Sequence, residues 1–213
     1  MKLAVLVSGR GSNLQALIDA CKTDDFPAEI VLVLSNKEDA YGLERAQAAD
    51  IPTAALDHKN FEDRESFDTA MSEQIDASGA ELVCLAGFMR LLSDGFVRRW
   101  RDRLINIHPS LLPAFKGLHV HERVIEEGAR FSGCTVHFVR PAMDEGPIIT
   151  QAVVPVHPDD EPDDLAARIL EQEHVIYPRA VRYIAEGRVR ISAERVLIED
   201  HQLPDGSLRS PAR

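Results

Sequence analysis

The sequence predicts an α/β fold: an open, mostly parallel twisted sheet with helices on both faces and an antiparallel extension in the C-terminal half. Three observations carry this reading. Short apolar runs alternate with segments of helical periodicity, the order that builds parallel βαβ units. Several of these runs stop at Gly or Pro and lack the polar alternation of a half-solvated strand. Beyond Pro109 the alternation gives way to two longer strand-like segments joined by a short loop.

Each element has its own local reason. Residues 2–7 (KLAVLV) are a continuous apolar run closed by Ser8-Gly9, hence a buried strand. Residues 12–20 set Leu14, Leu17 and Ile18 at helical spacing, with Ser12 as the N-cap. Residues 30–34 read as a second strand, 43–49 as a helix and 52–56 as a third strand. Residues 64–78 form a long helix, with Phe67, Met71 and Ile75 four apart. Residues 82–86 are a fourth strand stopped by Gly87, and 104–107 a fifth ended by His108-Pro109. Residues 132–140 and 147–155 pair as the antiparallel extension around the loop 141–146. The Pro-rich, acidic stretch 155–164 leads into a helix over 165–185 with Ile169, Ile176, Ala180 and Ile184 on one stripe. Asp163 and Asp164 stand where the helix dipole favours them. The pattern is Rossmann-like, with one domain over 1–190 and an extension over 191–213, of which 204–213 reads as a loose tail.

Composition bounds the function. The chain has 213 residues, 45% apolar and 28% charged, which fits a soluble globular protein with a real core. A net charge of −11 disfavours non-specific nucleic-acid binding, which needs clustered Lys and Arg. It leaves room for one local phosphate site at a helix N-terminus. Cys21, Cys84 and Cys134 fit no metal spacing and read as free thiols of a reducing compartment. The N-terminal apolar run is too short for a signal-peptide core, and no stretch is long enough to span a bilayer. The expected location is cytoplasmic, with no membrane partner.

Three motifs carry chemistry. Ser8-Gly9-Arg10-Gly11-Ser12-Asn13 joins the first strand to the first helix, where free N–H groups attract an anion. Leu14 replaces the third Gly of a dinucleotide fingerprint, Ser35-Asn36 end the second strand without a carboxylate, and no Walker lysine is present. A phosphate monoester therefore fits better than a dinucleotide or ATP; a bare strand–helix turn is the alternative. Asn106-Ile107-His108-Pro109-Ser110 puts Asn106 and His108 on one side of a strand end, since i and i+2 share a face. The first offers a neutral donor and the second a proton near neutral pH; a core histidine beside a turn asparagine is the bland reading. Met143-Asp144-Glu145-Gly146-Pro147 offers a carboxylate, which near an imidazole favours its charged form; alone it is turn chemistry. His119-Val120-His121 lacks a third ligand at a recognised spacing, so no metal is expected. The basic run 98–103 around Trp100 reads as a solvated helix face, and no Gly-x-Ser-x-Gly elbow occurs.

Taken in order, Ser8 to Asn13, Leu85-Ala86-Gly87-Phe88-Met89-Arg90, Asn106-Ile107-His108-Pro109-Ser110-Leu111-Leu112-Pro113 and Asp144-Glu145-Gly146-Pro147-Ile148-Ile149 resemble the folate-dependent formyltransferases. The resemblance runs from about Lys2 to about Arg190, and its start favours the branch acting on 5-phosphoribosylglycinamide in purine synthesis. It implies that Gly11, Ser12 and Asn13 hold the phosphate and that Glu173 accepts hydrogen bonds from the ribose hydroxyls. It implies a pocket for 10-formyltetrahydrofolate, as co-substrate, lined by Met89, Arg90, Leu91 and Leu92, with Arg140, Met143 and Asp144 in a loop over the pteridine. Arg64 would lie near the folate glutamate, and Asn106 would face both the folate and the reaction. Asn106, His108 and Asp144 would be the catalytic trio, Asp144 keeping His108 charged and oriented, with no metal. The partners would be these two small molecules, with no nucleic acid, in a monomer or homodimer. Residues 112–117 also resemble the formyltetrahydrofolate deformylases, which carry an N-terminal regulatory domain, whereas here a strand starts at Lys2. The methionyl-tRNA formyltransferases share the trio but bear a further C-terminal domain and a basic surface; here 23 residues follow Arg190 and the charge is −11. A non-catalytic nucleotide- or folate-binding module is the reading from another class, and it would need no trio.

Overall fold

Unbroken apolar strands need cover on both faces. The computed structural model, which describes residues 1–200, 202 and 206–210, provides it. β1 (Lys2–Val7), β2 (Glu29–Ser35), β3 (Thr53–Ala55), β4 (Leu82–Leu85) and β5 (Leu104–His108) pair in parallel. β6 (Phe131–Phe138) joins antiparallel to β5, and β7 (Ile148–Pro155) antiparallel to β6. The sheet has seven strands in the order β3-β2-β1-β4-β5-β6-β7. This is the fold class expected from the sequence, antiparallel extension included.

The helices are α1 (Ser12–Cys21), α2 (Tyr41–Gln47), α3 (Arg64–Ser78), α4 (Asp94–Arg99), α5 (Val120–Glu126) and α6 (Pro162–Ala185). Alternation along β1 sorts them. Leu3, Val5 and Val7 belong to the core beneath α1, α5 and α6. Ala4 and Leu6 face the other way, into the core with Phe67, Met71 and Ile75 of α3 and Phe96 of α4. Among the described residues no helix is long and apolar enough to cross a membrane.

The chain winds outward from β1 to β3, then returns beside β1 to begin β4. Open α/β sheets bind ligands outside the carboxyl ends of their strands at such a reversal. Here the Gly-rich turn after β1 and the Gly87 turn after β4 meet, Ser8 N donating to the Gly87 carbonyl at 3.1 Å.

Three local expectations change. Gly11, not Ser12, occupies the N-cap of α1, in the left-handed region at φ 67°. The basic run 98–103 is a solvated face only in part: its five charged residues are exposed, but α4 stops at Arg99, and Trp100 is 1% exposed, packed in the core with Phe96. A hairpin of β8 (Val189–Ser192) and β9 (Arg195–Ile198) follows α6 where the sequence shows little pattern. Its turn uses Ala193 and Glu194 at φ 48° and 56°, so the usual Gly or Asn signal is missing. Of the loose tail expected at 204–213, residues 204, 205 and 211–213 lie outside the described residues.

Candidate active site

The phosphate-type turn is built by close packing. A Cβ on Gly11 would stand 2.8 Å from the Gly42 Cα, so the left-handed turn and the start of α2 fit together only without that side chain. Gly42 N donates to the Gly9 carbonyl at 2.9 Å, and the first bond of the helix runs from Gln15 N to the Gly11 carbonyl. The N–H groups of Ser12, Asn13 and Leu14 precede that bond, at the position where a helix leaves donors without intrahelical partners and attracts an anion. Asn13 is 8% exposed, and its Nδ2 donates to Glu173 Oε2 of α6 at 2.7 Å. Asn13 Oδ1 is buried without a partner. Burial pushes the Glu173 carboxyl above its ordinary range, against the pull of the Asn13 donor. A buried polar pair with one orphaned acceptor is suited to receive hydroxyl groups of a ligand.

The second cluster sits on β5. Asn106 and His108 do share a face, and the loop between β6 and β7 carries Asp144 back to it. His108 Nδ1 lies 3.5 Å from Asp144 Oδ2, with both side chains mostly buried. Asp144 takes a left-handed conformation at φ 51° and accepts from Gly117 N at 2.8 Å. His108 Nε2 lies 3.0 Å from the Phe115 carbonyl, so both ring nitrogens face oxygen acceptors. Asn106 pairs across the sheet with His137, whose Nε2 is 3.4 Å from Asn106 Nδ2. His137 Nδ1 faces the Phe138 carbonyl at 3.0 Å and must donate there, leaving Nε2 to accept from the asparagine. Burial depresses the His137 imidazole below its usual range, which suits this neutral form.

The third cluster is the turn after β4. Ser8 Oγ donates to Asn36 Oδ1 at 2.5 Å and accepts from Met89 N at 2.8 Å, tying this turn to the Gly-rich one. Asp68 of α3 accepts from Ser93 N at 2.5 Å and holds its far end. Between these anchors Met89 is 72% exposed, Leu91 is also exposed, and Leu92 packs partly against the core with α3. The Arg90 guanidinium lies 4.9 Å over the Phe67 ring, with its Nε buried and unpartnered. Arg64 is exposed in the first turn of α3. Met143 is 50% exposed on the Asp144 loop. Arg140 differs from the rest: its guanidinium is engaged by Asp102 and Glu194.

The structure thus gathers Asn106 with His108 and Asp144, and Asn13 with Glu173, with the Met89 turn hydrogen-bonded to the Gly-rich one. Sequence reasoning missed Ser8 as a bridge, His137 as the neighbour of Asn106, and Arg45 with His174. These last two line a cavity of about 390 Å³ with Ser12. Arg45 donates to the Arg10 carbonyl at 2.8 Å and to Gln15 at 3.1 Å, and has no carboxylate within ion-pair distance among the described residues. His174 Nε2 is buried and unpartnered. A cross-strand partner and a helix-to-loop approach are long-range facts; no local spacing signals them. His119 is exposed beside Glu122, and no described cluster of His, Cys, Asp and Glu is arranged for a metal.

A formyl transferase family model matches residues 1–181, which include every candidate site residue named from the sequence. The chain belongs to the formyl transferase family. It is 47% identical over 204 residues to the phosphoribosylglycinamide formyltransferase of Escherichia coli, covering 96% of each chain. It is 51% identical over 195 residues to the trifunctional purine biosynthetic protein adenosine-3 of Drosophila melanogaster, of whose length it spans 14%. Among solved structures it superposes on glycinamide ribonucleotide transformylase 1 from Symbiobacterium toebii with a TM-score of 0.92, 48% identity and 94% of each chain covered.

Proposed function

We propose that the chain transfers the formyl group of 10-formyltetrahydrofolate to the amino group of 5-phosphoribosylglycinamide, a step of purine biosynthesis carried out in the cytoplasm. The observation that carries this reading is the end-to-end likeness to the Escherichia coli enzyme of that name, at 47% identity over 96% of both chains. The three clusters fit the two substrates. The Gly11, Ser12 and Asn13 turn suits the phosphate, with Arg45 beside it as a cation that has no carboxylate within ion-pair distance among the described residues. Glu173 and the orphaned Asn13 Oδ1 suit the ribose hydroxyls. The exposed Met89, Leu91 and Met143, with Arg90 and Arg64 nearby, suit a flat aromatic ligand with an anionic tail. In this reading residues 1–190 are the transferase domain and 191–213 an extension.

The chemistry follows from the trio. The substrate amine is itself the nucleophile, so no serine or cysteine nucleophile is needed; burial pushes the Cys134 thiol up to about 12. The amine attacks the formyl carbon, and negative charge grows on the formyl oxygen. Asn106 and His108 donate hydrogen bonds to that oxygen and stabilise it, a single such donor contributing about 3 kcal/mol. His137 holds the Asn106 amide in orientation, and Asp144 holds the imidazole. As the carbon–nitrogen bond to the folate breaks, a proton passes from the amine to the departing nitrogen through His108 or a water. Substrate would take the place on Nε2 that the Phe115 carbonyl fills here.

The test is one assay with two arms. Purified protein receives 10-formyltetrahydrofolate with and without 5-phosphoribosylglycinamide, and formate and formylated ribonucleotide are both counted. Formylated product, arising only when the ribonucleotide is present, is expected. Formate released equally in both arms would assign a deformylase, and no turnover in either would leave a binding module.

A further inference from the structure

The hairpin after α6 reaches the candidate active-site loop through Arg140. Arg140 lies two residues beyond the end of β6 and opens the loop that carries Met143 and Asp144. Its side chain is only 10% exposed. Nε donates to Glu194 Oε2 at 2.6 Å and Nη2 to Asp102 Oδ1 at 2.7 Å, while Nη1 reaches the Val139 carbonyl at 3.1 Å. Arg101 adds a bond from Nη2 to Glu194 Oε1 at 2.6 Å. Glu194 stands in the left-handed turn of the β8–β9 hairpin, and Asp102 is itself left-handed at φ 61°.

Three segments therefore converge on one planar guanidinium. Asp102 lies four residues before Asn106, and Arg140 four residues before Asp144. The far end of the loop is fixed separately: a Cβ on Gly146 would fall 1.9 Å from the Phe138 carbonyl, so backbone meets backbone there. We propose that Glu194 is a positioning residue: through Arg140 and Asp102 it clasps the base of the Asp144 loop to the base of β5, setting the loop over His108. The C-terminal hairpin is then part of the folate side of the active site although it supplies no group to the substrate. A bidentate, charge-assisted fork suits this role because it fixes angle as well as distance.

The kinetic arm of the test rests on the formyl-transfer reading; the exchange arm does not. Glu194→Gln in the full chain removes the charge and keeps the shape. The KM for 10-formyltetrahydrofolate is expected to rise about five- to tenfold, with the KM for the ribonucleotide within about twofold of wild type. Amide hydrogen exchange should quicken in residues 141–146 and stay unchanged in α1. Arg140→Lys, which keeps a charge but loses the fork, should shift both readouts in the same direction, and Glu194→Asp should restore part of the loss. Unchanged exchange in the loop would overturn the proposal, as would equal rises in both KM values or exchange that quickens throughout the chain. A wild-type chain that transfers no formyl group would break the functional reading and leave the exchange result standing as the judge of the clasp.

Discussion

The two ends of the candidate site are built on opposite plans. At the end formed by β1, α1 and α6, polar groups are buried and tied to the core: Asn13 to Glu173, Ser8 to Asn36, and Gly11 against Gly42. At the end formed by the turn after β4 and the loop between β6 and β7, large apolar side chains stand in solvent, Met89, Leu91 and Met143 among them. The first end holds its polar groups in place within the fold, with Asn13 and Glu173 both buried. The second would bury its apolar surface beneath the flat ring proposed to lie on it. A phosphate and ribose have fixed hydrogen-bonding geometry and reward a rigid receptor. A fused ring is held mainly by area, which movable loops can supply.

The largest test bears on the proposed catalytic trio. His108→Ala removes the proposed acid–base group while leaving both binding ends intact. Turnover should fall about 10²- to 10⁴-fold, the usual range for such a group. Affinity for the ribonucleotide, measured by titration calorimetry, should stay within about threefold, because the rigid end does not depend on the imidazole. Turnover within tenfold of wild type would remove His108 from the chemistry. A parallel loss of ribonucleotide binding would show that the ends are not independent, and the comparison would fail.

The rigid end was the more legible of the two in the sequence. Gly11 in a strand-to-helix turn and a helix N-terminus follow from local rules, as do the strand spacings that put Asn106 beside His108. Its one local error, Ser12 as cap, arose because a left-handed Gly can fill that position with no side-chain bond at all. Residues were harder to read where partners come from afar. Glu173 meets Asn13 across 160 positions. His137 meets Asn106 only because β6 turns back on β5 in one register. Trp100 looked solvated because its neighbours in sequence are arginines; it is buried because its neighbours in space are α3 and α4. The hairpin escaped notice because two non-glycine residues make its turn.

A middle-sized test separates stability from binding at the rigid end. Burial raises the Glu173 carboxyl above its value in the unfolded chain. A group raised in this way favours folding at low pH, and that contribution is lost as pH rises through the ordinary glutamate range toward the raised value. At neutral pH the buried charge therefore works against the fold. Glu173→Gln keeps the shape and an acceptor for Asn13 but carries no charge. The melting temperature at pH 7 should hold or rise, and that gain should fade as pH is lowered below about 4. The ribonucleotide KM should increase about ten- to hundredfold, the loss expected for hydrogen bonds to an ionised acceptor. A fall in melting temperature with no change in KM would reverse the assignment and make the carboxylate a structural group.

The smallest effect belongs to the open end. Met89 is 72% exposed in the free protein, so its truncation removes almost no packing. Met89→Ala should leave folding stability within about 0.5 kcal/mol, the usual range for exposed sites. If the side chain closes on the folate ring, the lost apolar contact should be worth about 1 kcal/mol at about 25 cal/mol per Å². That corresponds to a rise of about fivefold in the folate KM, with kcat and the ribonucleotide KM unmoved. The same substitution at a rigid-end residue such as Asn13 would disturb a buried hydrogen bond and could not leave stability untouched. An unchanged folate KM would mean that Met89 is exposed in the complex as well. A marked drop in stability would mean that the turn is part of the core, and the contrast between a preformed end and a ligand-completed end would then rest on Met143 and Leu91 alone.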